Sequence, residues 1–134
     1  MKGMRFRFCL SAAAMMSIGG ANAWAAGSLP TVPGTCVATT IASIGTRLVD
    51  GSTNRPIPGS GSAVSFANGG AQVSYDEESG ITHSKRGDPV YLCLMKIPTG
   101  CPRGDDRGKI YTTTNLRTLG SWTLPDSEHS CGGA

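Results

Sequence analysis

The residues most able to bind a ligand or an ion lie in the loop 101–108 (CPRGDDRG), where Asp105 and Asp106 lie between Arg103 and Arg107. Adjacent carboxylates could bind calcium, but this ion takes about six to eight oxygen ligands and no third acid lies nearby in the sequence. Neighbouring Asp residues also favour turns, in which they accept backbone hydrogen bonds or pair with flanking arginines. We therefore expect a structural loop, take its four charged residues as a candidate binding site, and expect no metal.

A second group of potentially reactive side chains lies near the end of the chain, in the segment PDSEHS. A Ser-His-acid hydrolase needs a serine hydroxyl placed against the histidine base, yet the chain has no G-x-S-x-G elbow. It also has no HExxH, P-loop or dinucleotide fingerprint. We expect these residues to anchor the tail, with no catalytic residues and no cofactor. A small hydrolase remains a distant alternative, using Ser127 or Ser130 with His129 beside Asp126 and Glu128.

His83 and His129 are the two histidines of the chain. A zinc site usually needs three or four protein ligands, and we expect the cysteines to be oxidised and so unable to complete one. Zinc binding is therefore not expected.

The tripeptide Arg-Gly-Asp occurs twice, at 86–88 and 103–105. Displayed at a loop tip it can engage adhesion receptors, but the same residues form ordinary turns. Both copies lie in Gly-rich loops, so we expect turns rather than receptor motifs.

Four aromatic residues, Tyr75, Tyr91, Tyr111 and Trp122, are expected in the core or on sheet faces. Two or more of them exposed on one face would indicate a binding platform, because aromatic residues dominate recognition hot spots.

Short strands are the elements that must position these residues. The hairpin is the clearest: in 62–75, Val64 and Phe66 alternate with polar or small residues before Asn68-Gly69-Gly70, and Val73 and Tyr75 alternate with polar residues after it. Asn-Gly supports the positive φ angles of tight turns. The pattern predicts Val73 and Tyr75 on the apolar face of the second arm.

The most apolar run, 89–97 (PVYLCLMKI), predicts a central strand. One of its faces would carry Val90, Leu92 and Leu94, and the other Tyr91, Cys93 and Met95. β-branched and aromatic residues predict further strands. These lie at 36–44, 109–115 and 121–124, and one helical turn is expected near 77–78. Together these segments predict a single all-β domain of five or six short antiparallel strands, arranged as a small barrel or a sandwich. Its strand count and exported, disulfide-bonded character also resemble those of OB-type barrels.

The first 25 residues have the pattern of a secretory signal peptide: Lys2, Arg5 and Arg7 precede the apolar run 8–18, and small-residue cleavage signals follow. This run is too short to span a bilayer of about 30 Å as a helix. We expect the protein to be periplasmic or secreted without a membrane anchor. Residues 26–35 are then a flexible leader and 36–134 a single β domain.

Removal of a signal peptide changes the charge of the chain. The 12 basic and 9 acidic residues give a formal net charge of +3, but three of the basic residues lie in the signal segment. The remainder is neutral, so its net charge gives no support to binding of nucleic acid or anionic membranes, and neither partner is expected.

Cleavage would also remove Cys9 and leave an even number of cysteines, which in a small exported domain indicates two disulfides. Spacing alone permits three pairings. We favour Cys93–Cys101 with Cys36–Cys131, because these bonds would fold the Gly-rich loop onto the central strand and join the two ends. The main alternative is Cys36–Cys93 with Cys101–Cys131.

From residue 58 onward, several segments resemble a set of small exported proteobacterial proteins without an assigned activity. The matching motifs include GDPVYLCL, CPRGDDRG and SWTLPDSEHSCGGA. The resemblance implies a periplasmic or secreted protein and brings no catalytic residues.

These expectations favour a monomeric, non-enzymatic interaction module for a protein or glycan partner, which a host could also meet as an antigen. The alternative is an inhibitor of a cell-wall hydrolase such as lysozyme that inserts the loop 98–108 into the enzyme cleft.

Overall fold

The computed structural model describes residues 26–133, so the signal peptide expected at 1–25 lies outside the described residues. Six antiparallel strands form one sheet in the order β3-β2-β1-β4-β5-β6, which curls into a half-barrel. The all-β prediction is confirmed. The elements are β1 (Cys36–Thr46), β2 (Ser62–Phe66), β3 (Ala71–Ser74), α1 (Ser79–Thr82), β4 (Pro89–Lys96), β5 (Ile110–Asn115) and β6 (Ser121–Pro125).

The concave side of the half-barrel holds the hydrophobic core. The predicted alternation of β4 is confirmed: Val90, Leu92 and Leu94 are buried, whereas Tyr91 and Met95 are exposed. The single turn α1 packs between β2 and β6 and buries Ile81 completely. The other buried apolar residues are Ile41, Val64, Phe66, Tyr111 and Trp122.

A β-bulge in β1 allows this strand to place apolar side chains in the core on both sides of the bulge. The register with β2 shifts between Ile41 and Ser43. This extra residue reverses the alternation, so that Ile41 and Ile44 both pack on the core although they are three residues apart.

The predicted hairpin is present, with β2 and β3 joined at Ala67–Gly70, but the expected inner face of β3 is wrong. Gln72, opposite Val64, is 1 % exposed, whereas Tyr75 is 56 % exposed and Val73 half-buried. The reason is tertiary: the Gln72 side chain reaches β5 and β6 at the far edge of the sheet. Its Nε2 donates to the carbonyl oxygens of Tyr111 (2.7 Å) and Leu124 (3.1 Å).

The favoured disulfide pairing is also wrong, and the alternative is the one observed: Cys36–Cys93 and Cys101–Cys131. Cys36 and Cys93 are directly opposite on β1 and β4, so the register of the sheet selects their bond. Cys101 is thereby left to join the loop after β4 to the tail after β6.

The segment 26–35, expected as a leader, contacts the sheet. Gly27 N donates to Ala38 O (2.9 Å), Gly34 N donates to Leu94 O (2.7 Å), and Pro30 is buried. The packed unit therefore begins before Cys36.

Candidate functional site

The loop 98–108 holds its first candidate carboxylate in a bidentate ion pair. The Arg107 guanidinium donates from Nε and Nη2 to the two oxygens of Asp105, both at 2.8 Å, and Gly132 N donates to the same carboxylate at 3.0 Å. These hydrogen bonds, that of Arg107 above all, hold the pKa of Asp105 below its usual range. The Asp105 carboxylate is thus occupied by Arg107 of its own loop and by the backbone of the tail.

The second candidate carboxylate is paired as well. Lys109 Nζ lies 2.5 Å from Asp106 Oδ2 and also donates to the Asp106 carbonyl oxygen at 3.1 Å. The Lys109 ammonium lowers the pKa of Asp106. Asp126 completes the attachment of the loop, because its Oδ1 accepts hydrogen bonds from Gly108 N (2.7 Å) and Lys109 N (3.1 Å).

Of the four predicted site residues, Arg103 stands apart. It is exposed near the tip of the loop, and no salt bridge within residues 26–133 includes it. Asp106 and Arg107, in contrast, line a cavity of about 230 Å³ between the loop and the end of the half-barrel. The structure therefore places these two at a cavity and leaves Arg103 in solvent.

This cavity offers little chemistry beyond small-molecule contact. Its acids are engaged: Asp106 by Lys109, and Asp126 by two backbone N–H groups. The Tyr111 ring contributes an apolar wall, and burial raises the pKa of its hydroxyl. The remaining lining residues are Leu29, Gly69, Gly70, Ala71, Leu92, Arg107 and Ser127.

Neither Arg-Gly-Asp tripeptide presents its carboxylate. Asp88 is 6 % exposed and receives Arg117 Nε at 2.6 Å, Arg117 Nη2 at 2.8 Å and Asn115 Nδ2 at 2.8 Å. Asp105 is held by Arg107. Both copies are therefore turns with internal ion pairs, as expected. Arg117 was not singled out from the sequence, since nothing in the pattern TNLRT links it to a carboxylate 29 residues earlier.

The serine and histidine residues of the tail do not form a catalytic set. Ser127 Oγ donates to the backbone oxygen of His129 (2.8 Å), and the His83 ring lies against Ser79 O (2.8 Å). Within residues 26–133, no serine hydroxyl is hydrogen-bonded to a histidine ring, and no cluster of three or more metal-ligating side chains occurs.

The four aromatic residues divide between core and surface. Tyr111 and Trp122 are both 4 % exposed, and Trp122 Nε1 donates to Gln72 Oε1 at 2.8 Å. Tyr75 is exposed but lies under the Arg47 guanidinium, 4.3 Å from its ring centroid. Tyr91 is 46 % exposed, and no cationic side chain among the described residues lies over its ring.

Tyr91 lies at the middle of what we call the outer face, the convex side of the four strands β1, β4, β5 and β6. In the sheet register its row runs Ala38, Tyr91, Thr114, Ser121, and the next row runs Cys36, Cys93, Thr112, Thr123. Thr40 and Met95 extend the face, and the outward side chains of the two rows are uncharged; Lys96, opposite Ile110 in the row beyond the disulfide, is the charged residue at this end of β4.

Hydroxyl groups on the outer face are paired across strands. The Thr112 and Thr123 oxygens lie 2.7 Å apart, and those of Thr114 and Ser121 lie 2.8 Å apart. The Cys36–Cys93 disulfide ties β1 to β4 within the same face. The result is a stiff surface of small hydroxyl groups around one exposed aromatic ring.

In the part of the chain that the structure describes, no helix is long and apolar enough to cross a bilayer. Comparison of the chain with protein-family models, with curated proteins and with solved structures finds no match.

Proposed function

We propose that this protein is an exported, non-enzymatic binding module and that the outer face is its recognition surface. The observation that carries the proposal is the exposed Tyr91, which lies among small uncharged side chains on a sheet face tied by the Cys36–Cys93 disulfide. An exposed tyrosine, which combines an apolar ring with a polar hydroxyl, is typical of recognition surfaces.

The state of the reactive side chains supports a binding role over catalysis. Asp88, Asp105 and Asp126 each accept hydrogen bonds from partners in their own surroundings, and Ser127 donates to a backbone oxygen. A general acid or base must instead keep a site for the reacting proton. These groups stabilise loops and turns.

The two disulfides support export, because such bonds persist in oxidising compartments. The signal pattern of residues 1–25 points the same way. We propose the periplasm or the exterior as the site of action.

Binding by the outer face is tested with immobilised, disulfide-intact protein and separated protein and polysaccharide fractions of the cell envelope. The variants are Tyr91→Ala and, as a matched control, Tyr75→Ala, which removes an exposed tyrosine from a different surface. We expect a retained fraction that Tyr91→Ala loses and Tyr75→Ala keeps. Equal retention by both variants, or none by the wild type, would contradict the proposal.

A second candidate function is inhibition of a cell-wall hydrolase by the loop 98–108. The observation in its favour is an exposed stretch that includes Arg103 and is stapled at Cys101 to the tail. A muramidase assay with excess protein tests it: inhibition that Arg103→Ala removes would support this function. Full enzyme activity at excess protein would end it.

A further inference from the structure

We infer that the ligand of the outer face is a neutral glycan, bound with a sugar ring on Tyr91 and its hydroxyl groups on the threonine and serine rows. This inference rests on the proposed function and names its ligand class. Three features of the face carry it: its charge, its aromatic ring and its hydroxyl pairs.

The charge of the face favours a neutral ligand. Nucleic acids, acidic polysaccharides and anionic lipids are bound mainly by lysine and arginine, which neutralise their charge. In the two rows that contain Tyr91 and the disulfide, the other outward side chains are Ala, Thr, Ser and Cys, and none of these can compensate a ligand charge. Lys96 lies beyond these rows, opposite Ile110.

The Tyr91 ring is placed for stacking. Its cross-strand neighbours are Ala38 on β1 and Thr114 on β5, both small side chains, and Tyr91 is 46 % exposed. An aromatic ring with a polar hydroxyl at its edge offers an apolar surface and a hydrogen-bonding group together. The C–H face of a pyranose ring and its equatorial hydroxyls need the same two kinds of contact.

The hydroxyl pairs supply the polar contacts. Each Ser or Thr hydroxyl has one donor and two acceptor positions, so a pair such as Thr112 and Thr123 keeps one donor and free lone pairs after its own hydrogen bond. Sugar hydroxyls likewise donate and accept. Threonine is stiff at χ1, so these groups lose little conformational entropy when a ligand binds.

The same composition argues against a protein as the ligand. Protein hot spots are enriched in Trp, Tyr and Arg, whereas Ser and Thr are under-represented there. On the outer face, four of the side chains nearest Tyr91 and the disulfide are Thr112, Thr114, Ser121 and Thr123. A polyhydroxylated ligand uses these groups better than a protein surface does.

The test is calorimetric titration of the disulfide-intact protein with neutral gluco-, manno- and galacto-hexaoses, and with an oligouronate as the anionic counterpart. We expect one or more neutral hexaoses to bind and the oligouronate not to bind. Tyr91→Ala should weaken binding by about tenfold or more, as for loss of an aromatic hot spot. The double variant Thr112→Val/Thr123→Val should weaken it several-fold, and Tyr75→Ala should leave it unchanged.

The inference is overturned if no neutral hexaose binds, if the oligouronate binds equally well, or if Tyr91→Ala and Tyr75→Ala behave alike. Far-UV circular dichroism of each variant establishes that the fold is kept. Retention of an envelope protein through Tyr91 without glycan binding would overturn this inference while the proposed function still stands. Loss of both kinds of binding would remove the two together.

Discussion

Two buried threonines of the inner face differ in whether the side-chain hydroxyl has a hydrogen-bond partner. Thr39 and Thr113 are both 0 % exposed. Thr113 Oγ1 donates to Gln72 Oε1 at 2.5 Å, whereas Thr39 Oγ1 has no hydrogen-bond partner within residues 26–133. A buried polar group without a partner costs stability, because it has lost its water and gained nothing.

Replacement of these hydroxyls by methyl groups should therefore act in opposite directions. We expect Thr39→Val to raise the free energy of unfolding by about 1 kcal/mol, and Thr113→Val to lower it by about 1–2 kcal/mol. Urea denaturation of both variants measures the effect. Destabilisation by Thr39→Val would mean that its hydroxyl has a partner, such as a buried water.

Asp88 is the carboxylate on which several segments converge, since Arg117, Asn115 and Lys85 N all donate to it. The Arg117 hydrogen bonds, chiefly, lower the pKa of Asp88 below the usual 3.8. A carboxyl whose pKa is depressed by folding stabilises the protein above its unfolded pKa and loses that contribution as the pH falls toward its folded pKa.

Wild-type stability should accordingly decline with acidification below about pH 4, the unfolded pKa of an Asp carboxyl. We expect Asp88→Asn to cost about 2 kcal/mol at pH 7, because the Arg117 pair is lost, and to show a shallower decline in acid. Thermal denaturation from pH 2 to 7 measures both. Asp76→Asn, at an exposed site, is the control and should change stability by less than about 0.5 kcal/mol.

At the scale of elements, the predictions from sequence were right where one strand carries its own pattern. The run 89–97 predicted a central strand with Val90, Leu92 and Leu94 on one face, and this face packs into the core along the strand; the exposure of the other face was not predicted. The pattern failed at β3. Gln72 faces inward because its side chain is hydrogen-bonded to β5 and β6, and the local sequence of β3 carries no information on these contacts.

The disulfide pairing failed for a related reason. Cys36 and Cys93 meet because β1 and β4 are neighbours in a particular register, and that register depends on the whole sheet. The candidate loop 101–108 was recognised as a structural loop from its Asp and Arg residues, but the outer face could not be. Its members come from four strands whose order was unknown at the level of sequence.

The Gln72 side chain connects the two edge strands, and a charge there should be strongly pH-dependent. In Gln72→Glu the carboxylate would face the carbonyl oxygens of Tyr111 and Leu124, so we expect its pKa to rise above the usual 4.3 or so of Glu. The folded state then binds a proton that the unfolded state does not. The variant should be less destabilised at pH 5 than at pH 7, as measured by urea denaturation, whereas Gln72→Leu should show no such difference.

The turn into β2 depends on a glycine that no other residue can replace. Gly61 has φ +104°, and a Cβ there would lie 2.0 Å from the backbone oxygen of Ser74. We expect Gly61→Ala to cost about 3 kcal/mol or more. Gly59→Ala is the matched control: its φ is also positive (+73°) but its surroundings are open, so about 1–2 kcal/mol is expected. Equal costs in denaturation would show that φ alone matters.

For the whole molecule, each disulfide ties an outer part of the described chain to its middle: Cys36 at the start of β1 is joined to β4, and Cys131 in the tail is joined to the loop after β4. Cys36–Cys93 spans 57 residues and Cys101–Cys131 spans 30. In the chain-entropy description each bond contributes about 2–4 kcal/mol, and the longer loop exceeds the shorter by only about 0.6 kcal/mol.

The double variants Cys36→Ser/Cys93→Ser and Cys101→Ser/Cys131→Ser should therefore be destabilised by similar amounts, the first slightly more. Thermal denaturation of both, with and without reductant, measures this. Reductant should lower the melting temperature of the wild type to below that of either variant. A wild type unaffected by complete reduction would contradict a stabilising role for the disulfides.

The arrangement of the two end strands of the half-barrel affects the tendency of the protein to pair with other chains. A sheet normally ends in strands whose free N–H and C=O groups can pair with those of another molecule, which is how many β proteins aggregate. Here β3 and β6, the two end strands, are drawn toward each other by Gln72. We expect this contact to hinder pairing of either edge with another chain, because it holds the two end strands close together without a closed ring of backbone hydrogen bonds.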